Sequence, residues 1–376
     1  MSLQLQLNNS ITRPVYENVS ARYMSTVSAS AARHPTGQPP CVGLYWTQKG
    51  QDPEVAFMLV HYSGDFSEHY LVGPLASRGF GVLGYATRYR SIQEGFILER
   101  ALDDIAAGTK WLMENTTTKK LVFIGNSGGG SLMAAFQAAT ERDVSLKGAD
   151  AFIFLNAHPG RADVLTDWLD PSVTDENDPT KRDSSLDMYN PVNGPPYSTD
   201  FQSRYWKAQR QRNHRITTWA KAELKRLNEA GIEDRIFTVY RTSADLRFTD
   251  PSIDPSDRPS PACLQGNDPE KANRGLGYLA RANTLQSFLS MWSLEESKSR
   301  FKLQAADFSL PTLVVQSMHD VSVFPSMAQS IYDMVGSENK ELRWVPGAHY
   351  FEDSTENLEN VASLIAEWTR KTLDLQ

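Results

Sequence analysis

The feature that most constrains this chain is an alternation of short apolar runs with segments of helical spacing. "EVAFMLVHY" (54–62), "FGVLGYAT" (80–87), "KLVFIGN" (120–126) and "ADAFIFLNA" (149–157) are nearly unbroken apolar stretches, as strands covered on both faces require. "CVGLYWTQ" (41–48) ahead of them also has strand character. Between them, "SEHYLVGPLASRG" (67–79) reads as a helix ending at Gly79. From 94 to 114, Ile97, Ala101, Ile105, Gly108 and Leu112 share one helical face, and "SLMAAFQAATE" (131–141) gives the next helix. Further on, "LPTLVVQSMHD" (310–320) and "LRWVPGAHY" (342–350) supply two more strands, and "NLENVASLIAEWTRKTL" (357–373) a closing helix. This order predicts an α/β class fold: a mostly parallel, twisted sheet flanked by helices.

The alternation stops between 158 and 306. "DPSVTDENDPTKRDSSLDMYNPVNGPP" (170–196) has the Pro, Asp and Asn content of a loop. A helix around 202–230 follows, with Ile216, Trp219, Leu224 and Leu227 on one side and Gly231 as its C-cap. "RIFTVYRT" (235–242) reads as a strand and "SPACLQGNDP" (260–269) as a loop. Leu285, Phe288, Leu289 and Trp292 form a second amphipathic face. The division expected is a core made of 1–157 and 307–376, interrupted by a largely helical cap or lid over 158–306. Residues 1–40 are a polar lead-in, a strand and an arm, with "HPTGQPP" (34–40) as a loop.

One strand runs into an unusual turn. "LVFIGNSGGG" (121–130) sets a single serine among glycines, and Gly125-Asn126-Ser127-Gly128-Gly129 matches G-x-S-x-G. After a buried strand and before a helix, this motif makes a sharp elbow that exposes the serine hydroxyl at the sheet edge. The small neighbours leave room for the turn, and the helix N-terminus offers N–H groups to a developing anion. A phosphate loop is the competing reading, but neither G-x-x-x-x-G-K-[ST] nor G-x-G-x-x-G is present.

A serine nucleophile needs a base, and the base an orienting acid. Of the seven histidines, His349 lies in a glycine-containing loop between the last strand and the last helix. His34, His61, His69, His158, His214 and His319 are placed less favourably by order, because on such a sheet the triad follows Ser, acid, His along the chain. Asp320 ends the strand "TLVVQSMHD" and is the expected acid. Asp163, Glu352 and Asp353 are its competitors. The oxyanion donors expected are the backbone N–H groups of Gly128 and of Ser63, in "HYSGD" after the strand ending at His61, with Tyr62 beside them at the substrate.

These residues carry a resemblance. "GNSGG", "HYSGD", "HD" at Asp320 and "GAHYF" around His349 make the chain similar to members of the α/β-hydrolase superfamily over 42–157 and 307–376, with 158–306 where that family inserts caps. Two departures stand out: Tyr62 replaces the glycine of the family's His-Gly, and "ATRYRS" stands where D-x-R-G-x-G is common. The resemblance implies acyl transfer through Ser127, with His349 as base, Asp320 orienting it, and water completing hydrolysis of the acyl-enzyme. No metal, nucleotide or flavin is implied. A serine in place of an aspartate nucleophile argues against dehalogenase or epoxide hydrolase chemistry.

Composition narrows the partners. The net charge is −7 and the pI near 5.6, so nothing favours nucleic acid or an anionic membrane. No run approaches the roughly 20 apolar residues of a membrane span, and the start lacks a signal-peptide pattern. Cys41 and Cys263 are the two cysteines and read as free thiols in a reducing compartment, hence a cytoplasmic location. The expected partner is a small molecule with an acyl group. The first expectation is a carboxylic ester or lactone hydrolase. The same triad acting on a carbon–carbon, amide or thioester bond is the second, and a ligand-binding receptor or scaffold the third. "RYWKAQRQRNHR" (204–215) carries five Lys and Arg and reads as a solvated helix face, with contact to a carboxylated substrate or to another copy in a homo-oligomer as the sharper alternatives. Tyr205, Trp206, Trp219, Tyr278, Phe288 and Trp292 read as cap core, some of them lining a pocket.

Overall fold

The structure is a computed structural model that describes residues 15–31, 37, 39–275 and 279–375. Strands β1 (Val19–Thr26), β2 (Cys41–Gln48), β3 (Val55–His61), β4 (Gly81–Ala86), β5 (Lys120–Asn126) and β6 (Ala151–Leu155) fill the first half with helices α1 (Val72–Ala76), α2 (Leu98–Asn115) and α3 (Gly129–Thr140). The segment after β6 holds α4 (Arg161–Trp168), α5 (Thr199–Glu229), β7 (Ile236–Thr238), α6 (Pro269–Arg274), β8 (Ala282–Thr284) and α7 (Leu285–Ser287), which continues as a π turn over Phe288–Trp292. β9 (Thr312–Ser317), α8 (Pro325–Met334), β10 (Lys340–Val345) and α9 (Thr355–Thr372) complete the chain.

Eight strands form one sheet in the order β1-β2-β4-β3-β5-β6-β9-β10. β1 and β2 pair antiparallel, as do β2 and β4, and the remaining neighbours are parallel. The expected mostly parallel sheet is present, and the lead-in contributes its antiparallel edge. His34, the loop around it and Tyr278 lie outside the described residues.

Side-chain alternation explains the unbroken apolar runs. Met58 and Val60 of β3, Leu121 and Phe123 of β5, and Phe152 and Phe154 of β6 enter one buried cluster with α2, α3 and α8. Phe57, Leu59, Val122, Ile124, Ile153 and Leu155 enter the other, with α1 and α9. Successive residues point to opposite faces, so both must be apolar where helices cover both. The first cluster does not stop at the sheet: Leu165, Trp168, Ile216, Leu285 and Trp292 of the segment after β6 belong to it. That segment shares its core with one sheet face. A smaller cluster around Met188, Tyr197, Phe201 and Tyr205 is its own.

Several element lengths differ from the sequence reading. The helix expected over 67–79 shrinks to Val72–Ala76, because 63–71 forms a loop with Trp46 Nε1 donating to the Ser67 carbonyl at 2.8 Å. The strand expected over 235–242 shortens to Ile236–Thr238. α5 ends as expected: Ala230 caps it and Gly231 follows with φ +76°. Cys41 and Cys263 are both free and buried. Burial pushes the Cys41 thiol up to about 12 and raises that of Cys263.

One ion pair ties β4 to α2. The Arg88 guanidinium grips the fully buried Asp104 carboxylate at 2.6–3.1 Å, and the Arg88 amide donates to it at 2.9 Å. Removing one partner of such a pair strands the other without compensation. Asp104→Ala is expected to lower stability by about 3–5 kcal/mol, read from the midpoint of urea unfolding. A loss below about 1 kcal/mol would mean that solvent already screens the pair as at a surface.

Candidate active site

β3 and β5 are neighbours, yet the helices that follow them pack on opposite faces: α1 on one side, α3 on the other. Such a switch opens a crevice at the carboxyl ends of the two strands. Ser127 sits there, directly after β5, with φ +54°. A non-glycine residue holds this conformation only where its surroundings fix it. The Ser127 amide donates to the Leu155 carbonyl at 3.1 Å and the Gly130 amide to the Ser127 carbonyl at 3.2 Å. The flanking glycines are required by space: a Cβ at Gly125 would lie 2.4 Å from the Gly130 Cα, and one at Gly129 would lie 2.5 Å from the Val60 carbonyl oxygen.

His349 and Asp320 arrive from the far side. Asp320 follows β9, and its Oδ1 accepts from the amides of Ser322 and Val323 at 2.7 and 3.0 Å. Its Oδ2 accepts from His349 Nδ1 at 2.7 Å. Both side chains are buried. Bonding at Nδ1 leaves His349 Nε2 buried with no hydrogen-bond partner among the described residues, and His349 lines the same cavity as Ser127, a space of about 320 Å³. Burial pulls the His349 pKa down, but the charge and hydrogen bond of Asp320 outweigh it, and the group is raised above its usual 6.5.

The competing acids are engaged elsewhere. Asp163 pairs with Arg300 at 2.5 and 2.8 Å. Glu352 accepts from the Tyr350 amide at 2.8 Å, and Asp353 accepts from the Ala348 amide and from His319, each at 2.9 Å. His214 pairs with Glu295 at 2.5 Å.

Ser63 lines the cavity. Its amide, like that of Gly128 at the start of α3, donates to no acceptor among the described residues. Tyr62 is a correction. It does not line the cavity; it follows Val60 by two residues and points the same way, into the core. Its hydroxyl meets Ser131 Oγ at 3.0 Å and also Ser299. Of the aromatic residues read as cap core with some of them lining a pocket, Tyr205, Phe288 and Trp292 are fully buried, and Trp206 and Trp219 are partly exposed. The tryptophan that lines the cavity is Trp168.

Two polar residues escaped the sequence reading, and two histidines that it set aside line the cavity. Asn156 directly follows β6 with φ +43° and joins three segments: its Nδ2 donates to the His349 carbonyl at 2.9 Å and its Oδ1 accepts from the Ser317 amide at 2.7 Å. Arg161 lines the cavity with its guanidinium 4.6 Å from the Tyr62 ring and 5.0 Å from the Trp292 ring. His61 and His158 line it too. Burial, then the Arg161 charge, pushes both below 6.5, His158 to about 3. No local motif announces Asn156 or Arg161; the apolar run into "NAHPGR" marked only the strand end. Among the described residues, no three His, Cys, Asp or Glu side chains group as metal ligands would.

No protein-family profile matches the chain, and no curated protein sequence does. Solved structures do. The structure of DcsB in complex with its substrate analogue aligns with a TM-score of 0.53 at 12% identity, over 94% of this chain and 99% of that one. The α/β hydrolase GrgF from Penicillium sp. sh18 gives 0.52 at 11%, over 94% and 98%. Est1E from Butyrivibrio proteoclasticus gives 0.51 at 12%, over 94% and 99%. The chain has the α/β-hydrolase fold. Within this α/β-hydrolase fold, Ser127, Asp320 and His349 occupy the carboxyl edge of the parallel strands.

The opposed influences on His349 generate a test. In the wild-type chain its imidazole is expected to titrate above 6.5 by NMR. In Asp320→Asn burial is opposed only by the Glu352 carboxylate, the weakest of the influences, so the midpoint should fall. A midpoint unmoved by the substitution would show that Asp320 does not set the charge of this ring.

Proposed function

We propose that the chain is a serine hydrolase that cleaves a carboxylic ester or lactone through an acyl-enzyme. The observation that carries this reading is the buried Asp320–His349 pair, whose histidine lines one cavity with a serine held at positive φ. Asp320 accepts the Nδ1 proton, which leaves Nε2 as the basic nitrogen. His349 then takes the Ser127 proton as Oγ attacks the acyl carbon. The carbonyl electron pair moves to oxygen, where the amides of Gly128 and Ser63 stabilise it. Collapse expels the alcohol, which receives the proton back from His349. Water, activated by the same nitrogen, releases the acid.

We read residues 158–306 as a cap over this site. His158, Arg161, Val164, Trp168, Leu264 and Arg281 contribute to the cavity wall, which supports a role in selecting substrate by shape. A cavity of this size suits a compact acyl group. The similarity to the α/β hydrolase GrgF supports a hydrolytic reaction.

Ser127→Ala is expected to lower turnover of small activated esters by about 10⁶-fold, as in other serine triads, and to abolish covalent labelling by a fluorophosphonate probe. A panel of esters, lactones, thioesters, amides and β-diketones then identifies the bond. Labelling that persists in the alanine variant would remove Ser127 from the mechanism.

A further inference from the structure

His61 is the last residue of β3 and lines the cavity across from the elbow. Its Nδ1 accepts a hydrogen bond from the Gly64 amide at 3.2 Å. A ring nitrogen that accepts carries no proton, so the neutral imidazole must hold its proton on Nε2. The ring is kept neutral by its surroundings: burial comes first, then the charges of Arg161, His158, His349 and His69. It is also held in place, stacked on Phe66 with centroids 5.2 Å apart and planes 28° apart, and edge-on to Tyr62. Gly64 lets the loop close on it, because a Cβ there would lie 3.1 Å from Nδ1 and 3.2 Å from Phe66 Cε1.

The other end of the ring meets the residue after the nucleophile. A Cβ built on Gly128 would lie 2.9 Å from His61 Nε2. Standard bond lengths and angles then place Nε2 no more than about 5.4 Å from the Gly128 nitrogen. One oxygen can accept from two donors that far apart, each at hydrogen-bonding distance. The absence of a side chain at 128 therefore leaves an N–H of fixed tautomer facing the backbone that carries the expected oxyanion donor.

We propose that the His61 Nε2–H is a catalytic hydrogen-bond donor to the oxyanion, acting with the Gly128 amide. The inference rests on the serine hydrolase reading above. When the Ser127 Oγ–carbon bond forms and the carbonyl pair moves to oxygen, Nε2–H donates to that oxygen. On collapse the pair returns, the bond to the leaving alcohol breaks, and His349 supplies the proton. His61 neither gains nor loses a proton in the cycle. A neutral donor of fixed position costs no reorganisation as charge develops.

The test compares His61→Ala, His61→Phe and His61→Gln on a short p-nitrophenyl ester, with Ser127→Ala as control and circular dichroism to confirm folding. Alanine, and phenylalanine, which keeps ring bulk but has no donor, should each lower kcat by about 10²–10³-fold with KM nearly unchanged. Glutamine, which restores an N–H, should recover at least about tenfold of the loss. Affinity for a trifluoromethyl ketone, which forms the tetrahedral adduct, should fall in parallel with kcat, while affinity for the product acid should not. The acid limb of the pH profile should stay where His349 puts it in every variant, because His61 does not titrate in that range. Folded phenylalanine and alanine variants with kcat within about threefold of wild type, while Ser127→Ala is inactive, would overturn the proposal and leave the hydrolase reading standing. A loss that glutamine does not recover, with trifluoromethyl ketone affinity unchanged, would overturn it too. Full activity in Ser127→Ala would overturn both.

Discussion

Burial of both sheet faces is the constraint from which the arrangement of this protein follows. In the middle of β3, β5 and β6 the side chains on both faces are committed to packing, from Phe57 and Met58 to Ile153 and Phe154. No side chain in mid-strand is available for chemistry, so the polar groups collect where the strands end. Ser127 follows β5, His61 ends β3, Asn156 follows β6 and Asp320 follows β9. Asn156 then joins the ends: one amide group holds the loop of His349 and the last residue of β9 together. The tight packing of the strands fixes where those loops begin, which is why a hydrogen-bonded pair 29 residues apart in sequence can meet at 2.7 Å.

The electrostatics of the cavity divide its histidines. His349 faces a carboxylate and is raised, whereas His61 and His158 face the Arg161 guanidinium and are lowered. All three are enclosed, so burial alone would push them the same way. The sign of the nearest charge separates a ring suited to take a proton from rings that keep a fixed neutral form. Arg161 meets the faces of Tyr62 and Trp292 at 4.6 and 5.0 Å, one ring from the sheet core and one from the segment after β6, so the same residue also links those two parts.

What the sequence disclosed, and what it hid, follows from the range of each interaction. The apolar runs report a face-by-face burial that acts within a strand, and so the strands were legible. The elbow was legible because its demands are local: Gly125 and Gly129 are needed by atoms a few residues away or on the adjoining strand. Asp320 stood out from Asp163, Glu352 and Asp353 because it ends an apolar strand that holds it, whereas Asp163 lies well past its strand and the other two sit beside His349 in sequence. Tyr62 was misread, although the alternation Met58, Val60, Tyr62 already pointed its ring into the core. Asn156 and Arg161 were out of reach, since each depends on partners from another part of the chain. The short α1 was hidden for the same reason: Trp46 of β2 bonds the Ser67 carbonyl in the loop ahead of it.

The two cysteines bear on how the molecule can be handled. Both are buried, one in β2, next to the edge strand β1, and one in the segment after β6, and both thiols are held protonated by burial. A thiol in that state is a poor nucleophile toward alkylating agents and oxidants. The folded chain therefore presents electrophilic reagents with a background close to silence. A cysteine exchanged for the serine at the elbow would stand as the single responsive sulfur, and a fluorescent or heavy-atom label could be delivered to the cavity without first engineering the rest of the surface.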